Sequence, residues 1–160
     1  MIGGSFQGKA AYAKNMYPGP VLDGKKDEWT ADTQAKLFLN VQEWIRRYVA
    51  DGTDAAGADA KQLVDQLLDE LLAKQPTVVT MDEVGCGIVP LDRHDRDYRD
   101  LAGYVGQRLA AEADQVVRMI CGIPVVIKSG EGRTQTMDIK GTKGGTQTMD
   151  IKDTGETNRR

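Results

Sequence analysis

Apolar residues recur at three- and four-residue intervals in three stretches, the spacing of one buried face on an α-helix. Leu37, Val41, Trp44/Ile45 and Tyr48 predict a helix near 33–51, stopped by Gly52. Leu63/Val64, Leu67/Leu68 and Leu71/Leu72 predict a second near 58–74, closed off by Pro76. Tyr98, Leu101/Ala102, Val105 and Leu109 predict a third near 95–113. Short β-branched runs lie between and after them: Val21-Leu22, Thr77-Val78-Val79-Thr80, Val116 to Ile120 and Pro124 to Ile127. Strands alternating with helices imply an α/β fold with a mainly parallel sheet covered on both faces.

The pattern fails after Lys128. Residues 129–160 hold only Met137, Ile139, Met149 and Ile151 as large apolar side chains, too few to offset the entropy of ordering that segment. The chain therefore divides into a folded domain over 1–128 and a low-complexity tail over 129–160, expected to be disordered. Within the tail, Thr134 to Lys140 repeats as Thr146 to Lys152 around a Gly-containing loop, so a hairpin is the alternative, although an isolated hairpin is marginal in water.

Composition narrows the function classes. Of 160 residues, 40% are hydrophobic and 28% charged, enough for one core. The formal charge of -3 argues against a nucleic-acid groove binder, which usually carries a basic surplus, but leaves small anionic ligands open. No apolar run approaches the ~20 residues that span a bilayer, and no leader-like start is visible, so a cytoplasmic protein is expected. Cys86 and Cys121 stand in apolar stretches without metal-ligand spacing, which predicts buried, reduced thiols.

The first candidate chemistry is Gly3-Gly4-Ser5-Phe6-Gln7-Gly8-Lys9-Ala10, which fits G-x-x-x-x-G-K with Ala where Ser or Thr usually stands. Glycines let successive N–H groups turn onto an anion, the following helix brings its positive end, and Lys9 reaches the outer phosphates. Ala10 has no hydroxyl for a metal. Only Met1 and Ile2 precede the loop, so its supporting strand looks truncated. A glycine-rich turn without anion binding is the competing reading.

The second is Thr77 to Pro90, a strand ending in Asp82-Glu83 and breaking into Gly85-Cys86-Gly87. Ligands of open α/β sheets bind where strands end in this way. Adjacent residues of a strand face opposite sides, so one of the two acids faces the site, and Glu83 is taken as base or metal-side ligand. Asp23, in a turn-forming Asp-Gly pair, is a second strand-end candidate for Mg²⁺. Arg93, Arg96 and Arg99 enter the third helix at three-residue spacing and offer guanidiniums for phosphate or substrate. The interleaved Asp92, Asp95, Asp97 and Asp100 suit a salt-bridged solvated surface equally well. His94, the sole histidine, has no partner at motif spacing and reads as an exposed bystander.

Asp82 to Pro90, Arg93, Arg96, Tyr98 to Gly103, Gln107 to Ala110 and Gly122 to Lys128 together resemble the C-terminal half of the adenosylcobinamide kinase/adenosylcobinamide-phosphate guanylyltransferase family. Gly3 to Lys9 resembles its phosphate loop, the middle of the chain matches poorly, and the tail has no counterpart. The resemblance implies a RecA-like P-loop fold of three layers, a place in cobalamin biosynthesis, ATP or GTP as co-substrate with Mg²⁺, a corrinoid substrate and a homo-oligomer. On the enzyme reading Lys9 and Glu83 are the catalytic groups, Lys9 on the outer phosphates and Glu83 orienting the metal or the hydroxyl. The chain departs from the family by lacking a histidine between the loop helix and the second helix, where the family carries its guanylyl acceptor. A short form that keeps kinase activity without guanylyl transfer fits this departure, and a degenerate nucleotide- or corrinoid-binding relative is the alternative.

Overall fold

The computed structural model describes residues 1–30, 32–50, 58–87 and 90–130. The tail repeats and Gly52 lie outside these residues. In chain order the elements are α1 (Lys9–Met16), β1 (Val21–Asp23), β2 (Leu37–Leu39), α2 (Gln42–Ala50), α3 (Ala58–Ala73), β3 (Val78–Val79), α4 (Arg93–Glu112), β4 (Gln115–Ile120) and β5 (Ile123–Ser129).

Strands β1, β2 and β3 lie side by side in parallel, with Val21 opposite Leu37 and Leu37 opposite Val78. The α/β fold class read from the alternation of helices and strands holds, and the family's P-loop architecture is consistent with it. Met1 to Gly3 join this sheet to β4. On one side the Met1 amine donates to the Val79 carbonyl at 2.7 Å, Met81 N–H to Met1 O at 3.1 Å and Glu83 N–H to Gly3 O at 3.0 Å. On the other, Ile2 N–H donates to Val117 O and Met119 N–H to Ile2 O, each at 2.8 Å. Both ladders are parallel in pattern. The short lead before the glycine loop is thus held from two sides, and the loop does not lack support.

The core divides at the sheet. Leu22, Phe38, Val41, Trp44, Ile45, Val64, Leu67, Leu68, Leu71, Met81 and Val105 pack beneath α2, α3 and α4, whereas Ala13, Leu37, Leu39 and Val78 pack beneath α1. Phe38 faces one side and its neighbours the other, as the pleat requires. Each large apolar side chain so buried contributes about 1.5–3 kcal/mol.

Two expectations are corrected. The helix predicted over 33–51 is a strand followed by a helix: Leu37–Leu39 is fully buried between two parallel neighbours, Asn40 takes φ 54°, and only then does α2 begin. A three-residue apolar run buried on both faces carries the same residues a helix stripe would share. The cysteines are free, as expected, but both are exposed. Cys121 and Gly122 form the two-residue turn between antiparallel β4 and β5, with φ of 50° and 80°. That geometry fits a type I′ hairpin, whose turn residues face solvent. Among the described residues no helix is long and apolar enough to cross a membrane.

Candidate phosphate site at the carboxyl edge

The glycine loop starts where residues 1–3 leave the sheet. Gly3 has φ 148°, and a Cβ there would lie 2.6 Å from the Met119 carbonyl oxygen, so the backbone passes β4 at a distance only glycine permits. Gly8, at φ 87°, is the N-cap of α1 and supplies no side chain to cap it. The first-turn N–H groups are therefore left for another acceptor. The Gln7 side-chain oxygen accepts from Cys121 N–H, which ties the loop to the β4–β5 turn. Phe6, at φ 59°, projects into solvent and is 98% exposed.

Lys9 folds back under the loop and is only 5% exposed. Its ammonium donates to the Gly3 and Gly4 carbonyls at 3.0 and 2.7 Å and stands 2.6 Å from Asp82 Oδ1. Ser5 Oγ donates to the other carboxylate oxygen, Asp82 Oδ2, at 2.7 Å. Burial pushes the Asp82 carboxyl up, but the hydrogen bonds from Lys9 and Ser5, with the charges of Lys9 and Lys25, outweigh it and hold the group below its usual range. Asp82 N–H donates in turn to Gln42 Oε1 at 3.0 Å, fixing the strand end against the start of α2.

Of the two strand-end acids, the structure brings Asp82 to Lys9. Glu83 turns to β4 and pairs with Arg118 at 2.9 Å. Asp23 is also engaged: its Oδ1 accepts from Asn40 Nδ2 at 2.7 Å and from Lys25 N–H at 3.1 Å, which is the turn role that its Asp-Gly context suggested. Among the described residues no group of three His, Cys, Asp or Glu side chains is arranged to hold a metal. Ala10, in the first turn of α1, packs against the Ala13, Leu37, Leu39 and Val78 cluster, and its side chain has no oxygen to offer.

The three arginines do not converge. Arg93 is 3.7 Å from Asp97, Arg96 donates to the Pro90 and Leu91 carbonyls at 3.0 and 2.5 Å, and Arg99 pairs with Asp100 at 2.8 Å. The Arg99 stem also covers Gly85, where an added Cβ would meet Cγ at 2.9 Å. His94 is exposed in the first turn of α4, its N–H bound by the N-cap Asp92. The sequence pattern does not single out Asn40, Gln42, Lys25 or Arg118 as site residues. Of these, Asn40 and Gln42 carry a weak signal, Asn40 as the polar residue directly after a three-residue apolar run and Gln42 two residues beyond it.

A sequence model described as cobinamide kinase / cobinamide phosphate guanyltransferase matches residues 21–127. The bifunctional adenosylcobalamin biosynthesis protein CobU of Salmonella typhimurium (strain LT2) is 55% identical over 51 residues, 32% of this chain and 28% of that protein. Its namesake from Escherichia coli (strain K12) is 51% identical over 51 residues, with the same shares covered. The chain thus aligns with little more than a quarter of the length of these relatives. With two thirds of its residues under the family match, the chain belongs to the cobinamide kinase / cobinamide phosphate guanyltransferase family.

Proposed function

We propose that the protein serves cobalamin biosynthesis as a nucleotide-dependent kinase, passing a phosphoryl group from ATP or GTP to the hydroxyl of adenosylcobinamide. The observation that carries this reading is the buried Lys9 ammonium, set between two loop carbonyls and Asp82 at the carboxyl edge of a parallel sheet. A polyphosphate entering the loop offers Lys9 better acceptors than carbonyls and meets the uncapped first turn of α1. Lys9 then neutralises charge on the transferred group while Asp82 and Ser5 orient what lies beside it. Mg²⁺ arrives bound to the nucleotide and needs few protein oxygens. Asp82 and Ser5 are the residues that would hold it, since they stand together at the loop beside Lys9, whereas Glu83 turns to Arg118 on β4 and Asp23 is bound within the turn after β1. Glu83, paired with Arg118, is placed to set the loop's position next to β4.

The proposed activity does not extend to guanylyl transfer, because the sole imidazole, His94, is an exposed residue at the start of α4, far in sequence from the glycine loop. Ala10 favours a second reading, nucleotide or corrinoid binding without turnover, because it removes the hydroxyl that usually ends this loop. Incubation of the full chain with adenosylcobinamide, Mg²⁺ and ATP or GTP tests the kinase. Corrinoid-dependent release of the nucleoside diphosphate is expected. Saturable nucleotide binding with no such release would establish the second reading.

A further inference from the structure

The turn after β1 is locked more tightly than a surface turn requires. Gly24 N–H donates to Leu39 O at 2.8 Å, and a Cβ on Gly24 would lie 2.4 Å from the Asn40 carbonyl oxygen. Arg47 Nη2 donates to Gly24 O at 2.5 Å. Lys26 and Asp27 N–H groups both donate to Asp23 O at 2.8 Å, and Asp23 N–H returns a bond to the Asp27 carboxylate at 2.8 Å. The fixed residue in the middle is Lys25, whose N–H rests on Asp23 Oδ1.

This turn holds the Lys25 side chain over the glycine loop. The ammonium stands 5.4 Å from the centre of the Phe6 ring, within cation–π range. Among the described residues no carboxylate pairs with it, whereas Lys9 has Asp82 and Arg118 has Glu83. Its charge reaches Asp82, where it adds to the downward pull on that carboxyl. The loop is thus flanked by two cations, one buried beneath it and one exposed above its projecting aromatic residue.

We infer that Lys25 is a second phosphate-binding cation, which engages the outermost phosphate of a nucleoside triphosphate lying in the Gly3–Lys9 loop and thereby selects triphosphate over diphosphate. The inference rests on the phosphate-loop reading and goes beyond it by naming the residue that senses phosphate number. Without ligand the ammonium rests on the Phe6 face, a weak contact. A phosphate oxygen is a stronger partner, because an ion pair with hydrogen bonding exceeds an exposed cation–π contact. Lys9 and the first turn of α1 also hold the phosphates that a diphosphate keeps, so they discriminate by phosphate number less than a contact to the outermost phosphate alone does.

Calorimetric titration of the full chain with the Mg²⁺ complexes of ATP, ADP, GTP and GDP tests this in wild type, Lys25→Gln, Lys25→Arg and Lys9→Ala. Lys25→Gln is expected to weaken triphosphate binding about tenfold and diphosphate binding less than about twofold, as for loss of one charge-assisted contact. Lys25→Arg is expected to keep most of the preference. Equal weakening of both nucleotides in Lys25→Gln, or no weakening of either, overturns the inference. Should Lys9→Ala bind as wild type does, or wild type bind neither nucleotide, the phosphate loop itself is refuted and the role of Lys25 with it.

Discussion

Lys9 and Arg93 are both cations within reach of an aspartate, and the protein holds them in opposite ways. The Lys9 ammonium lies 2.6 Å from Asp82 with both side chains nearly sealed from water, and two carbonyls and the Ser5 hydroxyl complete the set. Arg93 lies 3.7 Å from Asp97 with 71% of its side chain in solvent. The first pair joins the glycine loop to the segment that follows β3, whereas the second joins successive turns of one helix. Charge that the fold has drawn together from distant parts of the sequence is costly to leave unpaired. Charge that neighbours merely share along a helix is screened and worth little.

The strongest way to break that contrast is Asp82→Ala, which strands Lys9 under the loop. The loss of stability is expected to be about 3 kcal/mol or more by urea unfolding, because a buried partner is removed and its opposite charge remains. The double variant Lys9→Met/Asp82→Leu should recover much of it. An Asp82→Ala variant as stable as wild type would show that the pair is not energetically buried.

Acid is a gentler break. Because the folded protein holds the Asp82 carboxyl below its unfolded value, the stabilisation is complete above the usual aspartate range and is lost as pH falls through the folded value. As pH falls into and below the usual aspartate range the wild type should therefore lose more unfolding free energy than Asp82→Asn does. The loss should be smaller than that of Asp82→Ala, since a protonated carboxyl can still hydrogen-bond. Identical pH profiles would remove Asp82 from the acid-sensitive set. The smallest effect is expected for Arg93→Gln, within about 0.5 kcal/mol of wild type in the same urea assay. A loss above 1 kcal/mol would mean that the helix-surface arginines do more than their geometry allows.

The same contrast explains what could be read from the residues alone. Helices α3 and α4 were legible because their apolar stripes run for three to five turns, long enough for a 3.6-residue period to stand out. Strand β2 was not, because Leu37 and Val41 match a helix stripe. Only the off-stripe Phe38 and Leu39, buried on opposite faces, betray a strand. The glycine loop was legible from spacing. Of the two adjacent acids Glu83 is the one expected at the site from sequence, whereas the structure brings Asp82 to Lys9 and turns Glu83 to Arg118, because which one meets Lys9 depends on how β3 sits against residues 1–3. Lys25 had no signal at all, because its meaning comes from a turn pinned by Asn40 and Arg47 well beyond it in the chain. The cysteines were misplaced for a related reason: apolar neighbours suggested burial, but the two-residue spacing between Ile120 and Ile123 puts Cys121 at a hairpin tip.

The central claim, that the Gly3–Lys9 loop is a phosphate site built on the Lys9–Asp82 pair, is tested most directly by following phosphorus resonances of Mg²⁺-bound ATP and GTP on addition of the full chain, in wild type and in Lys9→Ala. The account predicts saturable broadening or shift of the β and γ signals with wild type, and a loss of affinity of at least ~10²-fold in Lys9→Ala, as for removal of a charged hydrogen-bonding partner in a preformed site. Signals unchanged by wild type, or changed equally by the two proteins, would contradict it.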